Sequence, residues 1–190
     1  MIPSSSEISD IRAQKAALRK EIRARRRALD AEARKAWDAS ITAKVLALPA
    51  YQEAKTVFCF ISYGGEPETR GILREALAAG KRLAVPRCLA DGVMEAVCID
   101  GFDGLVPGMY GIPAPREDLP AISFDEIDFA LVPALAYTAA CDRLGQGGGY
   151  YDRFMEKTNA FTCGVCYRRF LLDSIPVEPF DRRPKLVICE

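Results

Sequence analysis

Short apolar runs with strand character alternate with helical segments along most of the chain, and this alternation limits the possible folds more than any other feature. The run at 56–62 (TVFCFIS) has the composition of a strand that is buried on both faces. Comparable runs predict further strands at 83–85, 94–99, 129–137, 161–167 and 185–189. Pro133 interrupts the run at 129–137 and argues for a bulge or a sheet edge there. Helices are predicted between some of them, at 66–79 and 150–157. This order is typical of an α/β domain with a largely parallel sheet.

Two helices are predicted before the first strand. The first, over 7–29, places four apolar side chains on one narrow stripe at helical spacing, namely Ile11, Leu18, Ile22 and Leu29. Asp30 is the expected N-cap of the second helix, and Pro49 ends it. Residues 1–6 are interpreted as a flexible terminus, and the glycine- and proline-rich segment 100–122 as a long loop.

The length and charge of the chain narrow the possible functions. A chain of 190 residues without repeats or a linker is expected to form one domain over 1–190. Lys and Arg together number 26, as do Asp and Glu, so the whole molecule has no net attraction to nucleic acid or membrane. Histidine is absent, which excludes Ser-His-Asp and Cys-His nucleophile pairs and metal sites that contain histidine.

The cysteines and the apolar segments predict a reduced, cytoplasmic protein. Seven cysteines are an odd number and lie in apolar runs, so they are interpreted as buried thiols, including the isolated pair Cys163 and Cys166. The chain starts without the basic and apolar regions of a signal peptide. No apolar run approaches the ~20 residues that a bilayer requires.

The most specific motif is the block Arg143 to Arg153 (RLGQGGGYYDR), in which four of the positions 145–149 are glycine. It lies between a predicted strand and a predicted helix. Glycines let backbone N–H groups converge, and the helix adds the positive end of its dipole. The block matches neither the P-loop nor the GxGxxG pattern of dinucleotide sites. A flexible turn is the alternative, but the flanking Arg143 and Asp152 favour a polyphosphate site.

Two aspartates are candidate ligands of Mg²⁺, which keeps several waters and therefore needs only one or two carboxylates. Asp152 directly follows the glycines, and Asp181 lies in a final segment that can return to the edge of the sheet. A helix cap or a surface position is the alternative for each of them.

Basic residues are concentrated in 12–27, where eight Lys or Arg accompany a single acid. Most of them are expected on a solvated helix face. Lys15 and Arg19 lie at the edge of the apolar stripe, where they can reach a phosphate or a carboxylate. Glu66 follows a predicted strand, and ligands of open α/β sheets gather at such strand ends. An acid in the first turn of a helix is the alternative for Glu66.

With these residues assembled, the chain resembles the 5-formyltetrahydrofolate cyclo-ligase (methenyltetrahydrofolate synthetase) family over nearly its whole length. The matching positions are Lys15 and 18–19, 58–69, 85–87, 111–113, 132–137, 143–153, 175–176, Asp181 and Glu190. The glycines followed by Tyr-Tyr-Asp-Arg are the most specific of these.

The resemblance implies a single α/β domain with a mixed, mostly parallel sheet, helices on both faces of the sheet and a helical pair at the start. It implies a ligase that uses ATP and Mg²⁺ to cyclise 5-formyltetrahydrofolate to 5,10-methenyltetrahydrofolate, with release of ADP and phosphate. ATP and the folate are then the expected partners, without nucleic acid or membrane, and the protein is expected to be a monomer.

The resemblance also implies roles for individual residues. ATP-binding positions are Lys15, Arg19, Arg143, Leu144, Gly145, Gln146, Gly147, Gly148, Gly149, Tyr150 and Tyr151. Lys15, Arg19 and Arg143 are the predicted catalytic cations. Predicted folate-binding positions are Ile61, Glu66, Gln146 and Tyr150, and the predicted Mg²⁺ ligands are Asp152 and Asp181. Gln146 and Phe180 depart from the family pattern, because a basic or aromatic residue and a histidine often stand at these positions.

Other functions stay open from the sequence alone. A different ATP-dependent kinase or ligase on the same scaffold is the first alternative, and a non-catalytic folate- or nucleotide-binding protein is the second. A nucleic-acid role for the basic segment 12–27 is a third alternative, and it predicts binding that weakens steeply with salt.

Overall fold

The computed structural model describes residues 5–190, with the side chains of residues 5, 6 and 110 outside that description. The α-helices in this part are α1 (Ser5–Arg27), α2 (Ala31–Leu46), α3 (Pro49–Glu53), α4 (Arg70–Ala78) and α5 (Tyr150–Lys157). The strands are β1 (Thr56–Phe58), β2 (Arg82–Cys88), β3 (Met94–Ile99), β4 (Leu105–Pro107), β5 (Pro113–Pro115), β6 (Ala121–Ile122), β7 (Phe129–Val132), β8 (Ala136–Thr138), β9 (Arg143–Leu144), β10 (Phe161–Val165), β11 (Leu171–Leu172) and β12 (Leu186–Ile188). None of the described helices has both the length and the apolar character needed to cross a membrane.

The main sheet has seven strands in the order β12-β10-β7-β1-β2-β3-β6. Neighbouring strands from β12 to β2 are parallel, whereas β3 is antiparallel to both β2 and β6. Successive side chains of β1 point to opposite faces: Val57 packs in the cluster that contains α1 to α4, and Phe58 packs against Phe154 of α5. The predicted mixed, mostly parallel sheet with helices on both faces is therefore confirmed.

The order of the strands reverses at the boundary between β1 and β7. The connection from β1 to β2 carries α4, whereas the connection from β7 to β10 carries α5 and runs the other way along the sheet. Because the two helices lie on opposite faces, a crevice opens between the carboxyl ends of β1 and β7. Ligands of open α/β sheets bind at such a switch point.

The N-terminal helical pair forms largely as predicted. The Asp30 side chain caps α2 by accepting a hydrogen bond of 3.0 Å from the Ala33 N–H. Helix α1 begins at Ser5, inside the segment predicted to be flexible, and residues 1–4 lie outside the described part of the chain. Pro49, predicted only as an end signal, also starts the short helix α3, because its fixed φ suits the first helical position.

Three local predictions were wrong. Residues 129–137 form two strands in different sheets, because Pro133 offers no N–H for pairing: β7 joins the main sheet and β8 joins β9 and β11. The segment 100–122 is not one loop, since β4 pairs with β5 and β6 pairs with β3. The helix predicted from Glu66 starts at Arg70, because Glu66 closes a turn by donating its N–H to the Tyr63 carbonyl (3.2 Å).

Candidate active site

A cleft of about 1330 Å³ opens at the carboxyl ends of β1, β2 and β7. Helix α1 lines one side of it, and the segment between β9 and α5 lines another. The cleft lies at the switch point that the strand order creates. Its volume exceeds the roughly 300–1,000 Å³ of a typical small-molecule pocket, so the cleft has room for more than one small ligand.

Residues 145–149, here called the glycine loop, connect β9 to α5 and line the cleft. Gly147 has a φ of +108° and Gly149, the N-cap of α5, has a φ of +68°. Residues other than glycine rarely adopt these positive φ angles without strain. The glycines are therefore needed for the path of the loop into α5.

Arginines hold the carbonyl groups of the glycine loop. Arg19 Nε donates to Gly145 O at 2.9 Å, Arg23 Nη2 to Gln146 O at 3.3 Å, and Arg153 Nη2 to Gly148 O at 2.5 Å. The amides of 146–149 make no hydrogen bond within the described residues. The loop thus offers a group of free N–H donors beside the positive end of α5, which suits a phosphate.

Lys15 lies in a buried ion cluster at this end of the cleft. It is 3% exposed, and its Nζ donates to Glu178 Oε2 at 3.0 Å and to Asp181 Oδ2 at 2.5 Å. Arg12 Nε donates to the other oxygen of Glu178 at 2.9 Å, and the Glu178 N–H donates to Asp181 Oδ2 at 2.7 Å. Lys15 and Asp181 are thus fixed next to each other by a common partner, Glu178.

Arg143 and Asp152 form a second buried pair. Arg143 Nη2 donates to Asp152 Oδ2 at 2.6 Å, and the Arg182 N–H donates to Asp152 Oδ1 at 3.1 Å. Burial favours the neutral carboxyl of Asp152, but the Arg143 charge and these hydrogen bonds outweigh it and lower the Asp152 pKa. Asp152 is therefore an ionised acceptor at neutral pH.

The predicted Mg²⁺ ligands Asp152 and Asp181 both lie in the cleft wall, and so do the carboxylates of Glu156 and Glu178. Within residues 5–190, no three His, Cys, Asp or Glu side chains are grouped closely enough to hold a metal alone. Carboxylate oxygens suit Mg²⁺, and one or two of them suffice when phosphate oxygens and water complete the shell. The residues present therefore fit Mg²⁺ that arrives with a polyphosphate.

Glu66 lies at the other end of the cleft, in the turn that follows β1. Its Oε2 accepts a hydrogen bond of 3.1 Å from the Tyr63 N–H. Burial raises the Glu66 pKa to about 7, and the Tyr63 hydrogen bond and the Arg26 charge oppose the rise. The carboxyl group is thus poised between its neutral and ionised forms at neutral pH.

The backbone of Glu66 is held by α2 and by the segment after β10. The Glu66 carbonyl accepts hydrogen bonds from Arg34 Nη2 at 3.2 Å and from the Tyr167 hydroxyl at 3.3 Å. The single proton of this hydroxyl is shared with Asp38 Oδ1, the nearer acceptor at 2.7 Å. The Glu66 backbone is therefore held in place by two separate elements.

The structure brings most of the predicted site residues together. Ile61 is 4% exposed in the cleft wall, and the Tyr150 hydroxyl crosses to the β2–β3 turn, where it donates to Leu89 O at 2.9 Å. The Gln146 side chain is tied to α1, because its Oε1 accepts from Arg23 Nη2 at 2.9 Å. Tyr151 lines the cleft with its ring packed against the core.

Leu144 is the exception among these residues. Its side chain is fully buried in the core and is not part of the cleft lining. A contact between this position and ATP would therefore have to use its backbone.

Sequence reasoning missed several residues of the cleft, above all Glu178, Arg23 and Arg26. Arg26 follows Lys15 by eleven positions and Arg19 by seven, which places all three near one face of α1. This spacing was a readable signal. Glu178 gave no such signal, because it contacts Lys15 across 163 positions of the chain.

Comparisons with known proteins show which proteins the chain is similar to. A model of the 5-formyltetrahydrofolate cyclo-ligase family matches residues 11–190. The 5-formyltetrahydrofolate cyclo-ligase of Mus musculus is 29% identical over 195 residues, which cover 95% of this chain and 95% of the relative. The Escherichia coli K12 protein of the same name is 28% identical, over 84% of this chain and 91% of its own length. The structure of Aquifex aeolicus 5,10-methenyltetrahydrofolate synthetase has a TM-score of 0.81 at 25% identity, over 91% of this chain and 88% of that one.

Proposed function

This chain belongs to the 5-formyltetrahydrofolate cyclo-ligase family, and on that premise we propose that it uses ATP to cyclise 5-formyltetrahydrofolate to 5,10-methenyltetrahydrofolate. The observation that supports the proposal most directly is the single cleft with two chemically different ends. One end carries free loop amides beside Lys15, Arg19 and Arg143, and the other carries Glu66.

The triphosphate of ATP is assigned to the basic end. The loop amides can donate to phosphate oxygens together with the two terminal nitrogens of Arg19. Within residues 5–190 these nitrogens make no hydrogen bond, since Arg19 binds Gly145 O through its Nε. Lys15 and Arg143 stand on either side and neutralise negative charge that moves during phosphoryl transfer. These three cations are proposed as the catalytic residues.

Asp152 and Asp181 are proposed to hold Mg²⁺ at this end. When bound, Mg²⁺ neutralises phosphate charge and orients the polyphosphate. In the structure described here, the two carboxylates are paired with Arg143 and Lys15 respectively. The pairing with Arg143 keeps Asp152 ionised, and the pairing with Lys15 holds Asp181 in place. A cation that binds there takes over at least one oxygen of each carboxylate.

The folate is assigned to the end that contains Glu66. A pterin ring has neighbouring N–H donors on one edge, and an ionised carboxylate can accept two such bonds at once. Ile61 and Tyr150 supply apolar and aromatic surface nearby. With the pterin held at Glu66, the formyl group faces the basic end of the cleft.

Two steps follow from this arrangement. The formyl oxygen attacks the γ-phosphorus of ATP, ADP leaves, and the formyl carbon becomes an iminium-like carbon bearing a phosphate. The N10 lone pair then attacks that carbon, N10 loses its proton, and phosphate departs to give the methenyl product. No histidine is required, because the protein positions both reactants and stabilises charge.

The decisive experiment mixes purified protein with 5-formyltetrahydrofolate, ATP and MgCl₂ and follows the near-ultraviolet absorbance of the methenyl product. We expect product only when all three are present, with ADP formed in equal amount. ATP hydrolysis without methenyl product would favour another ATP-dependent enzyme on this scaffold. Folate binding without turnover would favour a non-catalytic binding protein.

A further inference from the structure

A buried arginine at the folate end of the cleft has no role in the chemistry given above. Arg26, near the end of α1, lines the cleft and is 4% exposed. Its Nη2 donates to the carbonyls of Ala134 and Leu135, at 2.5 Å and 2.9 Å, in the connection that follows β7. Its Nε and Nη1 are buried and make no hydrogen bond to any of the described residues. A guanidinium is costly to bury with unsatisfied donors, so its charge calls for an explanation.

Glu66 is placed to use that charge. Helix α1 packs directly on the turn that carries Glu66, because a Cβ added to Gly65 would lie 3.5 Å from Arg26 O and 3.6 Å from Arg26 Cβ. The Arg26 charge acts on Glu66 in turn, and both residues line the same cleft. Arg26 and Glu66 are thus close neighbours in the wall of the folate end, without a direct ion pair between them among the described residues.

The other groups that act electrostatically on Arg26 are uncharged near neutral pH. They are Cys166, Tyr167 and Tyr137. Burial raises the pKa of both tyrosines, and a hydrogen bond with Cys189 together with burial raises the pKa of Cys166. Among these described groups, Glu66 is therefore the anion that Arg26 faces.

We propose that Arg26 is a positioning residue that keeps the Glu66 carboxylate ionised, so that it accepts hydrogen bonds from the pterin. This inference rests on the proposed function, in which Glu66 binds the folate. A protonated Glu66 would present a donor to the N–H groups of the pterin and would bind them poorly. Burial alone favours that neutral form, and the uncompensated charge of Arg26 opposes it.

The remaining groups around Glu66 do not replace Arg26. From α2, Arg34 binds the Glu66 carbonyl and is balanced by the neighbouring Asp38. Tyr151 of α5 and Tyr167 after β10 also face Glu66, and burial raises the pKa of both, so they stay neutral. Removal of the Arg26 charge therefore has no substitute nearby.

The test measures the affinity for 5-formyltetrahydrofolate and its kcat/KM as functions of pH. The wild type is expected to lose both as pH falls through about 7, the pKa to which burial raises Glu66. Arg26→Gln keeps a donor for the Ala134 and Leu135 carbonyls but loses the charge. The fall of affinity and kcat/KM at low pH is here called the acid limb of the profile. We expect Arg26→Gln to move the midpoint of this limb upward by roughly 0.5–1 pH unit. At pH values below the limb, both quantities then fall roughly three- to tenfold relative to the wild type, and well above it they are unchanged.

Control variants separate charge from packing. Arg26→Lys should keep the acid limb of the wild type, and Glu66→Gln should abolish it. Lys20→Met should leave the pH profile unchanged, because Lys20 is exposed on the same helix and lies outside the cleft. The KM for ATP should stay constant in both Arg26 variants.

A uniform loss in Arg26→Gln at every pH, without a shift of the limb, would overturn the inference and leave the proposed function intact. If Arg26→Gln does not fold, Arg26→Lys decides, because a shifted limb in a variant that keeps the charge contradicts the inference. A wild type that binds no folate at any pH overturns both.

Discussion

The buried Lys15 ammonium contacts two carboxylates at the ATP end of the cleft, so its substitution tests the role assigned to that end. The substitution Lys15→Met removes a cation that lies between Glu178 and Asp181. A charge-assisted contact to a phosphate is worth about 1.5–3 kcal/mol, so the KM for ATP should rise roughly ten- to hundredfold. The KM for the folate should change much less. Initial rates measured at varied ATP and at varied folate give the two values.

The exposed Lys20 on the same helix supplies the matched control for this prediction. Lys20→Met removes the same charge from α1 without touching the ion cluster. An equal rise of the KM for ATP in both variants would mean that general attraction by the helix, and not the placed lysine, is responsible.

The raised pKa of Glu66, the proposed folate ligand, should make the stability of the protein depend on pH. Its pKa rises from 4.5 to about 7 on folding, so between these values the folded state binds more protons than the unfolded state. The free energy of unfolding therefore falls as pH rises through this window, and the loss is complete above about pH 7. Because Glu66 is only partly shielded from solvent in the cleft, we expect a loss on the order of 1–3 kcal/mol.

The substitution Glu66→Gln should remove this loss. The variant is expected to match the wild type near pH 4.5, the unfolded-state value, and to be more stable above about pH 7, where the wild type bears a buried charge. Denaturant unfolding at the two pH values measures the difference. The same pH dependence in both proteins would show that Glu66 is solvated in the cleft and that its pKa is ordinary.

At the scale of elements, the junction between the glycine loop and α5 can be tested with a matched glycine. Gly149 and Gly80 have nearly equal φ values, +68° and +69°. Alanine at either position should cost roughly 1–2 kcal/mol of stability, because both conformations are left-handed. A Cβ at Gly149 would lie 2.9 Å from Arg153 Nη1, whereas a Cβ at Gly80 would meet nothing within 4 Å.

Only Gly149→Ala should therefore disturb ATP binding. We expect its KM for ATP to rise severalfold, while Gly80→Ala loses stability with normal kinetics. Thermal unfolding and initial rates on both variants provide the comparison. An unchanged KM in Gly149→Ala would remove the loop amides from the phosphate site.

Elements defined by local signals were predictable from the sequence. Helix α5 occupies Tyr150–Lys157 as predicted, because glycines precede it and its apolar face is strongly periodic. Asp30 caps α2 through its own side chain. Where tertiary pairing decides, prediction failed. Pro133 indicates an interrupted strand, but not that the chain leaves one sheet for another, and the strands within 100–122 form only with their partner strands.

The candidate site divides in the same way. The glycine loop and its flanking residues could be proposed from sequence because they are contiguous, and Lys15 because it lies at the edge of the apolar stripe of a predicted helix. The residues that hold these side chains in place could not be proposed from the sequence. Glu178 reaches Lys15 across 163 positions, and Arg26 reaches the Leu135 carbonyl across 109. Such contacts follow from the packing of α1 against the sheet and leave no local trace.

At the scale of the whole molecule, the cleft joins both ends of the chain, so ligand binding should stabilise the entire fold. Free ligand at a hundred times its Kd adds about 2.7 kcal/mol, which for a chain of this size corresponds to a rise in Tm of roughly 5–10 °C. ATP with Mg²⁺ and 5-formyltetrahydrofolate should each produce such a rise in scanning calorimetry.

The two ends of the cleft should respond separately to substitution. Lys15→Met is expected to lose most of the shift caused by ATP and to keep the shift caused by the folate, whereas Glu66→Gln should do the reverse. This pattern requires two subsites that share one cleft and contribute independently to stability. Loss of both shifts in either variant would mean that the substrates occupy one overlapping site, and it would contradict the assignment of the triphosphate and the pterin to opposite ends.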